Sequence, residues 1–310
     1  MVKYILKRSV ISIFTLLVLV TIIFFLVRAL PGDPLQSEKG NPALQAQMQA
    51  YYGFDQPLYK QWTTYIGNLL QGDLGVSIKY PGRTVRDAIA QTFPFSFALG
   101  WRALGFALAV GLLLGTIAAQ KAGKTVDYIC IIIAIIGVSM PDFIVGTLFQ
   151  LAFAIKLKWL PAGLWEGPKY MVLPVIALSL YTLALVARMM RSSMMEVLSQ
   201  DYIITAKAKG LSRFQIIWRH QIRNSILPVI TIMGPLTAAV LTGTFVIERI
   251  FAIPGIGKYY VTSVQDLDYT MVLGMTAFYG VFLVLANLIV DILYGIVDPR
   301  IKLGGDRKSN

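Results

Sequence analysis

Residues 201–228 read DYIITAKAKGLSRFQIIWRHQIRNSILP. The run before them, residues 170–187, holds no charged side chain, and neither does the run that follows, residues 226–247. A basic, water-compatible insert held between two such runs decides the architecture. The flanking segments belong in a bilayer, and the insert protrudes from it. A polar knob in that position is poorly placed for catalysis in lipid and well placed to be gripped by a soluble partner.

Composition agrees: 56% of residues are hydrophobic and 14% charged, where soluble domains carry about 25% charge. A membrane helix needs about 20 largely apolar residues. Six runs qualify: 10–27, 103–120, 128–155, 170–187, 226–247 and 270–290, uncharged except for Asp142 in the third. In hydrocarbon each backbone polar group must be satisfied within its own segment, so runs of this length are helices. The short alternating segments of a membrane barrel are absent. The expected fold is all-α and polytopic, with six transmembrane helices. The division expected is an N-terminal transmembrane helix at 1–30, an extracytoplasmic subdomain at 31–95, a five-helix core at 96–300 with a cytoplasmic coupling segment at 191–225, and a cytoplasmic tail at 301–310.

Lysine and arginine placement orients the chain. Lys3, Lys7 and Arg8 hold the amino terminus in the cytoplasm. Six crossings return the carboxyl terminus to the same side, with Arg300, Lys302, Arg307 and Lys308. Counting Lys121, Lys124 and the cluster from Arg188 to Arg223, sixteen of the 28 basic residues then lie inside. The first run is long for a signal-peptide core, and PGDPL after it lacks a small-x-small cleavage pattern, so it is expected to be a retained span. Cys130, the single cysteine, has no partner for an intramolecular disulfide and is expected as a small buried hydrophobe.

Residues 31–95 mix Gly and Pro punctuation with short amphipathic runs, which predicts turns and short helices. Tyr51, Tyr52, Phe54, Tyr59, Trp62 and Tyr65 form either an interfacial belt or a contact surface for an external protein. In the second span Ala103, Ala107, Gly111, Gly115 and Ala119 recur every four residues, a ridge that lets helix backbones approach closely. Pro141, Pro174, Pro228 and Pro235 predict kinks.

Within the insert, residues 195–209 read as helix, with Val197, Leu198, Tyr202 and Thr205 on its apolar face. Gly210 supplies the left-handed residue that ends a helix. Ser212 and Gln215 form a capping box for the next helix, and Leu211 and Ile216 occupy the hydrophobic-staple positions. From Arg191 to Arg223 the net charge is +4. The outline resembles a helix-turn-helix, but its tethering between spans excludes nucleic acid as partner. A lipid-surface segment or a docking element for a cytoplasmic protein remains.

Nothing points to chemistry in this chain. One histidine, His220, leaves no basis for a triad or a metal cluster. Gly123-Lys124-Thr125 resembles the end of a phosphate-binding loop, but Ala118 stands where the first glycine belongs. Asp142, beside Pro141 in mid-span, implies either a wet cavity wall or a helix–helix hydrogen bond. Arg102 and Glu248 are placed to snorkel outward, Asp291 to pair with an inner cation, and Glu248 with Arg249 to form part of an outer gate.

Ile204-Thr205-Ala206 ahead of Gly210 resembles the E-A-A-x-x-x-G motif of the permease subunits of ABC importers. The leading acid is missing, and Pro228 lies farther from the glycine than in the general pattern. Both departures are similar to the peptide-transport branch, as are Lys207-Ala208-Lys209-Gly210-Leu211-Ser212, Arg219-His220 and Arg223-Asn224. YGFDQPL at 52–58, ERIFAIPGIGKYYVTSVQDLDY at 248–269 and DILYGIVDPRIKL at 291–303 extend the resemblance over nearly the whole chain. It is that of a B-type permease of an oligopeptide or dipeptide importer with the type I importer fold.

The resemblance implies several partners: a second, similar permease subunit, two cytoplasmic ATP-binding subunits, an external substrate-binding protein, a peptide substrate and membrane lipid. It implies no cofactor, since ATP hydrolysis falls to the partner subunits. Asp201, Tyr202, Thr205, Ala206, Lys207, Ala208, Lys209, Gly210, Leu211 and Ser212 would dock on an ATPase, while Asp142, Glu248 and Arg249 would line a pathway or gate in a bacterial inner membrane. Two alternatives stay open: another small solute such as a nickel chelate or haem, and an ion-coupled secondary transporter.

Overall fold

A computed structural model describes the backbone of residues 2–29, 53, 55–80, 82–242 and 244–297, with side chains over the same stretches except 2–8, 238, 242 and 290–297. The expectations that rest on the terminal cations, on Tyr51, Tyr52 and Phe54, on the Asp291 side chain and on the tail therefore lie outside the described residues. The described chain is helical, with one isolated antiparallel bridge between Val76 and Thr84. Five helices are long and apolar enough to cross a membrane, or six if a sharply bent pair counts as one span.

The chain divides into two compact units, residues 1–95 with 254–288 and residues 96–253 with 289–310. In the first unit α1 (Val2–Ala29) buries Val20, Phe24 and Val27 along one face and leaves Val10, Ile13, Phe14 and Leu26 exposed, as a helix bathed in lipid does. Helix α2 (Leu58–Leu70) lies against it. The Trp62 indole donates to Thr21 Oγ1 at 3.1 Å, and the Tyr65 ring stacks on Phe24 with centroids 5.9 Å apart. Those two aromatics are thus tertiary contacts, whereas Tyr59 stays exposed.

Helix α11 (Ile256–Gln265) precedes the last membrane helix, α12 (Tyr269–Val297), to which loop 73–84 is clasped. Asp268, fully buried just before that helix, accepts the Ser77 hydroxyl and the Ile78 backbone N–H. It also accepts the Met271 N–H, which is N-capping by a carboxylate.

The second unit is organised around α6 (Pro168–Leu198), the most buried of the membrane-length helices. Helix α3 (Val85–Gln120) starts well before the run at 103–120, because the 31–95 segment already turns helical at Val85. Its small-residue ridge is buried throughout. A Cβ at Gly111 would lie 2.9 Å from the Leu183 carbonyl oxygen, and one at Gly115 would lie 2.5 Å from that of Ala187. Gly137 of α4 (Thr125–Ser139) meets Ala184 and Leu180 in the same way. Three glycines thus let two helices press onto the α6 backbone.

Residues 128–155 form a sharply broken helix pair rather than one continuous helix. Helix α4 stops at Ser139 and α5 (Asp142–Phe149) starts at an angle of 109° to it, running on through wide π turns at Gln150–Lys156. Pro141 has no N–H to give and forces its predecessor out of the helical region, so Met140 and Pro141 are both extended. Pro174, by contrast, sits inside α6, and Pro228 and Pro235 inside α9 (Arg223–Thr242). The described residues of the run 226–247 are all helical, in α9 up to Thr242 and in α10 (Thr244–Ile250).

Contacts along α6 give a depth scale. Asp127 meets Arg191, Gly137 meets Ala184, and Gly146 approaches Ala177. From Arg191 to Ala177 is fourteen residues, or about 21 Å at 1.5 Å each. Asp142 lies in sequence between Gly137 and Gly146, which meet α6 at Ala184 and Ala177.

Candidate functional site

The knob beyond α6 is two short helices with a locked corner. Helix α6 ends at Leu198 and α7 (Asp201–Ala208) starts two residues later, so residues 195–209 are not continuous helix. Ser199 and Gln200, whose side chains return to the Glu196 carbonyl oxygen, break the run.

After α7 the Leu211 N–H reaches the Ala206 carbonyl oxygen at 3.3 Å and the Gly210 N–H reaches that of Lys207 at 3.0 Å, with Gly210 at φ +75°. Both bonds of the Schellman ending are present, and they require a left-handed residue at Gly210. Ser212 then caps the next helix reciprocally. Its N–H donates to Gln215 Oε1 at 2.9 Å and its Oγ accepts the Gln215 N–H at 3.3 Å.

That helix, α8 (Arg213–Gln215), runs through wide π turns at Ile216–Ile222 into α9. Leu211 and Ile216 meet as the staple predicts, but the apolar face differs from expectation. Val197, Ile203, Ala206 and Ile216 form the small core with Leu211 packed on it, while Tyr202 and Thr205 face outward.

The outward face carries Asp201, Tyr202, Thr205, Lys207, Ala208, Lys209 and Gly210, all exposed, with Ser212 beside them. Reading the sequence alone missed three apolar residues there: Ile204, Phe214 and Trp218, exposed at 62%, 74% and 64%. Their signal was an apolar residue at a position where the core was already complete. Surfaces of this kind, apolar and rimmed by charge, mark interaction sites.

Two polar ties connect the knob region to the membrane helices. Arg191 donates to both oxygens of Asp127 at 2.6 and 2.7 Å, and Asp127, 2% exposed, also accepts the Gly123 N–H at 2.9 Å. Gln120 at the end of α3 donates to Gln221, buried in the π segment, at 2.5 Å. These bonds join the ends of α3, α4 and α6 to the chain that forms the knob. His220 is half-buried in the same π segment, and Gly123 at φ +73° makes the α3–α4 turn rather than a phosphate loop.

The residues expected to line a pathway or gate are distributed otherwise. Asp142 is the first residue of α5, half-buried. Helix α5 packs on α10, where Gly146 meets Ile247 and Phe251, so Asp142 and Glu248 stand on adjacent helices. Glu248 does not snorkel, because it is completely buried. Arg249 is exposed.

Below α10 the chain is cross-tied: Gln150 donates to the carbonyl oxygens of Ala162 and Ile250, and the Leu164 N–H donates to that of Phe251 at 2.7 Å. Leu164 and Ala252 both hold positive φ, at 80° and 51°, which marks a strained corner.

Comparison with known proteins places this geometry. Residues 111–303 match the binding-protein-dependent transport system inner membrane component, and residues 1–99 match the N-terminal part of that membrane component. The chain is 47% identical to the dipeptide transport system permease protein DppB of Bacillus subtilis over 98% of its own length and 99% of that protein. It is 45% identical to the oligopeptide transport system permease protein OppB of Haemophilus influenzae over 97% and 100%.

Two solved structures share the fold at 14% identity. One is the MetNI methionine ABC transporter in inward facing conformations, with TM-score 0.50 over 69% of this chain and 96% of that one. The other is an amino acid ABC transporter, with TM-score 0.51 over 76% and 98%. A membrane chain of this fold, matched over almost its full length by such relatives, belongs to the family of binding-protein-dependent transport system inner membrane components.

Proposed function

We propose that this chain is the permease subunit of an ATP-driven importer that receives peptides from an external binding protein and passes them to the cytoplasm. In this reading it sits in a bacterial inner membrane with both termini cytoplasmic. It pairs with a second, similar permease, and two cytoplasmic ATP-binding subunits supply the energy. Residues 31–95 form the outer subdomain, 191–225 the coupling segment and 301–310 a cytoplasmic tail. The peptide assignment is supported by the dipeptide and oligopeptide permeases to which the chain is similar.

The observation that carries the coupling role is the knob itself: a corner fixed by four backbone and capping bonds, presenting Ile204, Lys207 and Lys209 outward and tied inward through Arg191 and Gln221. A rigid external lever joined to the ends of three membrane helices converts closure of a partner into a shift of those helices, provided the partner contacts it differently in its two states. Asp201, Tyr202, Thr205, Ala206, Ala208, Gly210, Leu211 and Ser212 build or flank that lever.

Ile204→Asp tests this reading, because the side chain lies outside the knob core and its loss leaves folding intact. Expression and detergent stability should match wild type, while co-purification of the ATP-binding subunits and peptide-stimulated ATP hydrolysis fall at least about tenfold, the scale of one apolar interface anchor. Full ATPase recovery with this variant would remove the knob from the interface.

Asp142, Glu248 and Arg249 belong in this reading to the pathway. A peptide carries charged termini, so its route needs polar groups at mid-membrane, and Asp142 at the α4–α5 break supplies one where the missing helical bonds also require partners. Asp142→Leu should therefore reduce peptide uptake several-fold with assembly unchanged. Undiminished uptake would assign Asp142 to packing.

A further inference from the structure

A cavity of about 310 Å³ lies between α3, α4 and α6 at the knob end of the helices. Of its lining, only Arg191 and Ser192 fall within the coupling segment. Its floor exists because Gly115, Ala118 and Ala134 are small, and Ile131 and Ile135 make its wall apolar. One end is basic, with Arg188 and Arg191 on successive turns of α6. We propose that this groove binds one anionic phospholipid, an acyl chain lying along the isoleucine wall and the phosphate held by Arg188.

Three observations select that occupant. First, the groove borders a face of α4 that exposes Ile129, Ile132 and Ile136, a surface suited to hydrocarbon. The lining offers cations but no carboxylate for a peptide's amino terminus, which favours an anionic amphiphile over a peptide. Second, Arg191 is committed to Asp127, whereas Arg188 is exposed and makes no hydrogen bond or ion pair among the described residues. A guanidinium at the edge of a span reaches toward headgroups while its stem covers apolar surface. Third, the charge is one-sided: the lining holds Arg188 and Arg191 and no carboxylate, and Lys121 and Lys124 on the α3–α4 turn are also exposed. Basic pockets between membrane helices select anionic headgroups for this reason.

The site is read without reference to transport. The intact transporter, purified with the subunits it carries, is exchanged into detergent containing either phosphatidylglycerol or phosphatidylcholine and analysed by native mass spectrometry. One phosphatidylglycerol should remain per copy of this chain, favoured by about tenfold over phosphatidylcholine, the scale of one charge-assisted contact. Arg188→Gln should abolish that preference while leaving ATPase association intact, and Ala134→Phe should remove retained lipid of either kind. Equal retention of the two lipids by wild type, or an unchanged preference in Arg188→Gln, overturns the proposal. So does crosslinking of an Ile135→Cys variant to another subunit, which would show that protein covers the groove.

Discussion

Gly210→Leu should abolish most peptide uptake while the protein still inserts, because the substitution changes a turn in the knob and no membrane span. Gly210 has φ +75°, and a Cβ built there meets nothing within 4 Å. The cost is therefore conformational rather than steric: an L-residue in this region is disfavoured by roughly 1–2 kcal/mol.

That amount matters in so small a knob. Helix α7 has eight residues, below the length at which an isolated helix is stable, and its core is a handful of side chains. A penalty of this size shifts the formed corner by roughly 5- to 30-fold. With the corner open, the Leu211-to-Ala206 and Gly210-to-Lys207 bonds are lost, the staple between Leu211 and Ile216 parts, and α7 no longer holds a fixed angle to α9.

Gly210→Asn is the discriminating control, since Asn tolerates the left-handed region. Asn should retain most uptake where Leu does not. Equal uptake in the Leu variant and wild type, at equal expression, would mean that the corner is not mechanically required.

The corner was legible in the sequence because its parts are local: a glycine at C′, Ser-x-x-Gln after it, and apolar residues at the staple positions each act within six residues. Spans were legible for the same reason, since run length and absence of charge need no tertiary knowledge. What escaped was set by contacts distant along the chain. Glu248 looked like a snorkelling end residue, but its burial depends on what packs over α10. The pair Asp127–Arg191 joins residues 64 apart and Ser77–Asp268 residues 191 apart, and neither spacing leaves a trace in sequence. Pro141 was visible as a breaker, but the size of the bend was not. A proline in a helix is compatible with continuation, as Pro174, Pro228 and Pro235 demonstrate, and the neighbours decide which outcome is reached. On the candidate site, the turn-forming residues were identified and the exposed anchors were not, because Ile204, Phe214 and Trp218 resemble core residues until the core is seen to be complete without them.

Gly115→Leu should severely impair folding of the membrane core. The Cβ position at Gly115 lies 2.5 Å from the Ala187 carbonyl oxygen, 2.7 Å from Met190 Cβ and 3.1 Å from the Arg191 N atom. Two of these are backbone atoms of a helix buried on most sides, so no rotamer change relieves the clash and α3 must move away from α6. Even Gly115→Ala should destabilise by about 1–3 kcal/mol, the usual range for overpacking. The larger side chain also fills the groove and pushes at Arg191, loosening its bond to Asp127, which is left buried with its charge less well compensated.

Gly105 is the internal control on the same helix, since a Cβ there meets nothing within 4 Å. Gly105→Ala should be neutral or slightly stabilising, up to about 1 kcal/mol from helix propensity. Thermal unfolding in detergent, with the yield of monodisperse transporter alongside, separates the two positions. A Gly115→Ala variant as stable as Gly105→Ala would mean that α3 and α6 are not in backbone contact, and the tight α3–α6 seam would have to be abandoned.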